Sequence, residues 1–232
     1  MKRSDLIAIL CVILFLLPFF LFQPVFDFYK DFNFEHAYWT SFIKFAILAT
    51  FGESIGLRIR TGQYTQPDFG FLPRALVWGF LGISIKMAFV IFGEGGPIVL
   101  KNMGISGVVP DILRKPDFSW IKLFSAFTVS ALLNIFFAPV FMTFHKITDL
   151  HILANKGTMR GFLTPIDFRL HFTDINWAMQ WDFVFKKTIP LFWIPAQTLN
   201  FMLPEEYRIL FAAFLSIILG ILLSLATRQP KN

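Results

Sequence analysis

Long apolar runs alternate with short polar connections along this chain, at lengths that suit membrane-crossing helices rather than strands. Runs near Leu6–Phe22, Tyr38–Gly56, Leu76–Phe92, Leu123–Phe144, Thr188–Leu203 and Tyr207–Ala226 predict an all-α fold. The expected architecture is a polytopic transmembrane helix bundle of about six membrane segments. Residues 1–35 form an extra N-terminal anchor helix in this reading and 36–232 the main helical bundle, within a single integral membrane domain 1–232. The first run ends in Pro18-Phe19-Phe20-Leu21-Phe22 and lacks the small residues of a cleavage site, which predicts an uncleaved anchor. The run Thr188–Leu203 reaches about 24 Å as a helix against a hydrocarbon core of about 30 Å, so it either spans or re-enters.

Proline and glycine punctuate the pattern. Gly93-Glu94-Gly95-Gly96-Pro97 predicts a turn, followed by a short interfacial or re-entrant piece over Ile98–Val109. Pro139 predicts a kink that frees a carbonyl for a neighbour to satisfy. Pro204 followed by Glu205 and Glu206 predicts a helix start, with acids at the positive end of the dipole and two helices abutting as a hairpin or as one broken helix. Ahead of these last two segments, Ile175–Lys187 reads as an interfacial amphipathic helix. Small residues mark packing faces at Gly52 and Gly56, at Gly79, Gly82, Ser84 and Ala88, and at Ala212, Ser216, Gly220 and Ser224.

Composition agrees. The chain is 56% hydrophobic and 16% charged, where a soluble domain carries about 25% charged residues. Its net charge of +6 comes from Lys and Arg scattered at the ends of apolar runs, which excludes a nucleic-acid face and points to topology. With six crossings both termini share the side holding Lys2, Arg3, Arg58, Arg60, Arg74, Lys146, Lys156, Arg160, Arg169, Lys186, Lys187, Arg228 and Lys231. That side carries roughly twice the basic residues of the other and is therefore cytoplasmic or matrix-like. A lone Cys11 forms no internal disulfide.

Ionisable residues inside spans are costly and mark a pathway or an internal pair. Glu53 and Lys86 are such residues, either paired with each other or lining a polar path; Lys44, nearer an interface, is expected to snorkel. Gln197 and Asn200 fall on one helical face, as interhelical hydrogen-bond glue or as a polar constriction opposite Asn134. Arg208 is placed either to bind an anionic solute or head group, or to pair with Glu205 or anchor at the interface. His145, Lys146, Asp149 and His151 leave the fourth span and read as a solvated interfacial face rather than a metal site. No catalytic, metal-binding or cofactor motif is present, so the chain is not read as an enzyme.

The stretch Trp193–Arg208 resembles the C-terminal signature of the Mpv-seventeen and peroxisomal-membrane-protein-twenty-two family of small integral membrane proteins. Trp193, Gln197, Asn200, Phe201, Pro204, Tyr207 and Arg208 fall on it. The first proline comes one place late, at Pro195, and one residue fewer separates Phe201 from Pro204. Asn134 with Ala138-Pro139 is similar to the family's third helix without its acidic residue, and the glycine and acid at Gly52-Glu53 are similar to its first. The resemblance implies a channel or pore-like conduit for small solutes; the polar residues singled out within or beside the spans, Gln197, Asn200, Asn134, Glu53, Lys86 and Arg208, are its candidate lining. The alternatives are a non-conducting scaffold or lipid-binding protein, and a proton-coupled secondary transporter working through Glu53. The implied partners are the lipid bilayer and small solutes, with homo-oligomerisation left open. The expected location is a bacterial inner membrane, with an organelle membrane as the alternative.

Overall fold

The computed structural model describes residues 3–226, so Lys2, Arg228 and Lys231 of the charge count lie outside the described residues. The fold is all-helical, 84% helix with no strand among the described residues. Three helical runs are long and apolar enough to cross a membrane: Arg3–Leu21, Pro67–Asn102 and Trp120–Ala154. Apolar side chains such as Phe80, Ile91, Phe136, Val140 and Leu191 face outward, as on a lipid-covered surface.

Helices α1 (Arg3–Leu21) and α2 (Gln23–Glu35) belong to one compact unit reaching Thr40, and residues from Ser41 onward form a second. Pro24 opens α2, where its missing N–H is no loss.

The second unit is built on α3 (Ala37–Thr61) and α4 (Phe71–Asn102). Their contact is close because glycine stands on the α4 face: a Cβ on Gly82 would meet the Ser41 carbonyl and Phe45 Cβ at 2.7 Å. Gly79 lies against the Phe42 ring in the same way. Helix α4 does not break at Gly93–Pro97. Gly96 packs onto Val129 and Pro97 is fully buried, so tertiary packing offsets the roughly 3 kcal/mol that an interior proline costs. The expected interfacial piece is accordingly split, with Ile98–Asn102 continuing the helix. The true stop is Gly104, whose φ of 82° serves the helix end; the Ile105 N–H closes it on the Leu100 carbonyl at 3.1 Å.

Helix α5 (Trp120–Leu132) starts at Ser119, whose hydroxyl accepts from the Lys122 N–H at 3.2 Å. It continues through a π turn, Leu133–Phe137, into α6 (Ala138–Ala154). The π turn is how Pro139 is accommodated: widening the helix takes the carbonyl four residues back away from the ring, and the Ala138 N–H bonds Leu133 five residues earlier. Short helices α7 (Met159–Phe162), α8 (Phe168–Asp174) and α9 (Trp177–Met179) follow. From α9 the chain winds as a π helix over Gln180–Trp193, carrying Pro190, into α10 (Ile194–Met202). The expected separate amphipathic helix is thus the first half of one helical path. Leu203 is extended, and α11 (Glu205–Ala226) begins at the two glutamates, as the Pro204 junction predicts.

Gly220 and Ala212 of α11 carry the expected packing stripe. A Cβ on Gly220 would lie 3.2 Å from the Gly52 carbonyl of α3, and Ala212 is buried. The Ser224 side chain lies outside those described. The core gathers Phe45, Ala49, Phe89, Val129, Leu133, Phe201 and Ala213.

Candidate functional site

Helix α4 organises three successive features. At its start, Arg74 and Trp78 stand one turn apart and meet His145 and Asp149, one turn apart on α6, and Glu53 of α3. Arg74 Nη1 lies 2.5 Å from both Glu53 Oε2 and Asp149 Oδ1. Its Nε–H donates to the Phe69 carbonyl at 2.7 Å. The Trp78 indole N–H donates to Glu53 Oε1 at 2.8 Å, and His145 Nε2 lies 3.2 Å from the same oxygen. Two carboxylates thus share one guanidinium, with an imidazole able to supply the second positive charge. Glu53, His145 and Asp149 present ligand-type atoms within 4.8 Å of one another, the donor set of a small cation site. Arg74 already supplies a positive charge to that group.

The solvated face expected from His145 to His151 is therefore corrected: His145 and Asp149 belong to this cluster, and His151 is buried with Nε2 3.2 Å from the Phe162 carbonyl. Lys44 is likewise buried rather than reaching outward.

The middle of the row is a chamber of about 60 Å³, walled chiefly by Phe45, Trp78, Phe89, Phe137 and Phe141, with Asn134, Trp193, Gln197 and Ser216 as its polar members. The Asn134 Nδ2 amide donates to its own helix, to the Ser130 carbonyl at 2.9 Å beside the π turn.

The far end is a pocket of about 20 Å³ lined by Lys86, Glu94, Arg114, Glu205 and Arg208, among others. Lys86 Nζ lies 3.3 Å from Glu205; Arg114 pairs with Glu94 and lies 3.5 Å from Glu205. Arg208 is buried and does not depend on Glu205 in the expected manner. Its guanidinium donates to carbonyls of Leu113 (2.7 Å), Leu203 (3.0 Å) and Phe201 (3.3 Å). A cation at the carbonyl end of α10 also suits the helix dipole. Fully buried Asn200 ties this end together, donating to Gln197 Oε1 at 2.8 Å and to the Arg208 carbonyl at 3.1 Å.

The six residues expected to line one polar path are therefore distributed. Asn134 and Gln197 share the chamber, Lys86 and Arg208 share the far pocket, Glu53 sits in the ion cluster, and Asn200 lies between Gln197 and Arg208. Glu53 and Lys86 do not pair: each finds an opposite charge on another helix, and Arg74 and Lys86 stand about 18 Å apart along α4. Arg74, His145 and Asp149 were missing from the sequence-derived set. The local pattern offered only the turn spacing of His145 and Asp149 and an arginine just inside a span. Comparison of the chain with protein-family models, curated proteins and solved structures finds no match.

Proposed function

We propose that this membrane protein is a conduit for small solutes, closed at both ends by ion pairs and gated through an apolar middle. One observation carries the reading. The ion cluster at Arg74, the chamber from Trp78 to Phe89 and the charged pocket reaching Glu94 follow one another along α4. Twenty residues of helix, from 74 to 94, cover about 30 Å, the thickness of a bilayer's hydrocarbon core. An apolar chamber between charged ends passes solute when the ends part and the middle wets. The six-segment topology belongs to the same proposal, counting α1, α3, α4, α5 with α6, the path from Trp177 to Met202, and α11. So do membership of the Mpv-seventeen and peroxisomal-membrane-protein-twenty-two family, supported by the residues at Trp193–Arg208, and a bacterial inner membrane with the basic side inward.

Solute flux through purified protein in liposomes tests this. Lys86→Met removes one of the two cations on Glu205, leaving Arg114, and is expected to raise flux. Rates equal to those of empty vesicles for both wild type and Lys86→Met refute the conduit.

A non-conducting scaffold is favoured by the amides of Asn134 and Asn200, both of which donate to backbone carbonyls. That reading requires Gln197→Leu to lower stability while leaving flux at the vesicle background. Proton-coupled transport is favoured by the contact of His145 with Glu53, and requires pH-dependent uptake that Glu53→Gln abolishes.

A further inference from the structure

The connection between α6 and the path that starts at Trp177 carries a surface that the conduit does not use. The spanning run Trp120–Ala154 has 35 residues and covers about 50 Å, about 20 Å more than a bilayer's hydrocarbon core. With the run centred on that core, about 10 Å of its end stands among the lipid head groups. Helix α8 folds back along this end. The Phe168 ring stacks on Phe144 at 6.3 Å between centroids, and buried His171 lies 5.7 Å from the ring of His151. Phe144 is itself exposed and stands about 15 Å before the helix end at Ala154. The connection therefore lies against the flank of α6 at the level where the hydrocarbon core gives way to head groups.

Its exposed side chains are aromatic and basic. Phe168, Phe172, Trp181 and Leu163 are exposed, and a head-group layer accepts such apolar bodies where water does not. Interleaved with them in the chain, Lys156, Arg160, Arg169 and Lys187 are exposed and meet no carboxylate among the described residues. The acids of the same stretch are engaged within it. The Asp167 carboxylate accepts the Leu170 N–H at 2.9 Å, Asp174 lies 4.0 Å from His171, and Asp182 pairs with Lys186 at 3.3 Å. Unpaired cations suit water and bare rings suit lipid, whereas both together at this level fit a leaflet whose head groups are negative. We propose that residues 156–187 form a docking surface for acidic phospholipids, with Leu163, Phe168 and Trp181 in the upper acyl layer and Arg160, Arg169 and Lys187 on the phosphates. This binding goes beyond the conduit reading and stands whether or not the protein conducts.

The test uses the full chain carrying fluorotryptophan in phosphatidylcholine nanodiscs, and phosphatidylglycerol with a nitroxide high on its acyl chain as the probe. The fluorine resonance missing from Trp181→Phe identifies that residue. Phosphatidylglycerol is expected to broaden it saturably, and at a lower mole fraction than phosphatidylcholine bearing the same nitroxide. Arg160→Gln, Arg169→Gln and Lys187→Gln each remove one exposed cation, and each is expected to raise the midpoint about fivefold. Added salt raises the wild-type midpoint in the same direction. Lys101→Gln, exposed in the last turn of α4, leaves it in place. Equal broadening by the two lipids overturns the proposal and leaves a preference for the interface without regard to charge. Absence of broadening by either lipid overturns it as well, since the ring then lies away from lipid; so does a midpoint that ignores salt and all three substitutions. Should a variant not fold, the salt dependence and the contrast of lipids on the wild-type protein decide. Liposome flux bears on the conduit alone: flux without a lipid preference ends this proposal and leaves the conduit standing, and a preference without flux does the reverse.

Discussion

Arg74 is the residue on which two carboxylates depend, and its replacement separates a designed pairing from incidental contact. Removing one partner of a buried pair costs about 3–5 kcal/mol because the other charge stays buried. Arg74→Met strands Glu53 and Asp149 together, so a loss of about 3 kcal/mol is expected in unfolding from nanodiscs. Glu53 is about one-fifth exposed, and Asp149 still holds Arg74 when it is neutralised, so Glu53→Gln is expected to cost about half as much. If Glu53→Gln proves the more damaging change, the carboxylates do not share the guanidinium as described. Asn200 makes a second residue-scale case. Its Nδ2 has two acceptors while its buried Oδ1 has no donor among the described residues. Asn200→Leu therefore loses two hydrogen bonds but also relieves an unmatched acceptor, and a net destabilisation of about 1 kcal/mol is expected by chemical denaturation. Gln197 and Asn200 already fell on one helical face in the sequence, whereas the ion pairs were not legible locally. Glu53 announced itself as an acid within an apolar run, but nothing in its own segment indicated Arg74 or Asp149 as partners.

Helix α4 shows how an element's local signals and its packing compete. Gly93–Pro97 has the composition of a turn, yet the helix continues to Asn102 because Gly96 packs on Val129 of α5 and Pro97 is buried. Gly95 lies in open space with nothing within 4 Å of an added Cβ. In a helix, Gly95→Ala is expected to stabilise by about 0.8–1.0 kcal/mol in thermal unfolding; a turn using glycine's conformational range would be destabilised instead. Gly82→Ala has the opposite expectation, a loss of about 1–3 kcal/mol from overpacking against Phe45 and the Ser41 carbonyl. Equal effects at the two glycines would contradict the α3–α4 contact. The packing stripe on α11 was legible because small residues at one-turn intervals have few uses other than close approach. The π turn before Pro139 was foreseen only as a disturbance, since a proline fixes what the helix cannot do and leaves the remedy to its neighbours.

At the scale of the whole molecule, the ordering of charge, apolar chamber and charge along α4 makes the ends and the middle separately testable. Filling the middle with Ser216→Phe is expected to abolish the flux that Lys86→Met raises, in the same vesicles and with the fold checked by circular dichroism. Flux that survives Ser216→Phe would mean that solute takes another route. The sequence by itself determined that this is a helical membrane protein, and that one helix ends and another begins at Pro204. Run length, apolar content and proline act within a few residues, and lipid leaves a backbone little choice but the helix. Tertiary structure alone decided which charges meet and where space remains between them. Arg74 and Asp149 are 75 residues apart and Lys86 and Glu205 are 119 apart. A buried charge takes the nearest opposite charge in space, and that distance exists only once the helices have packed.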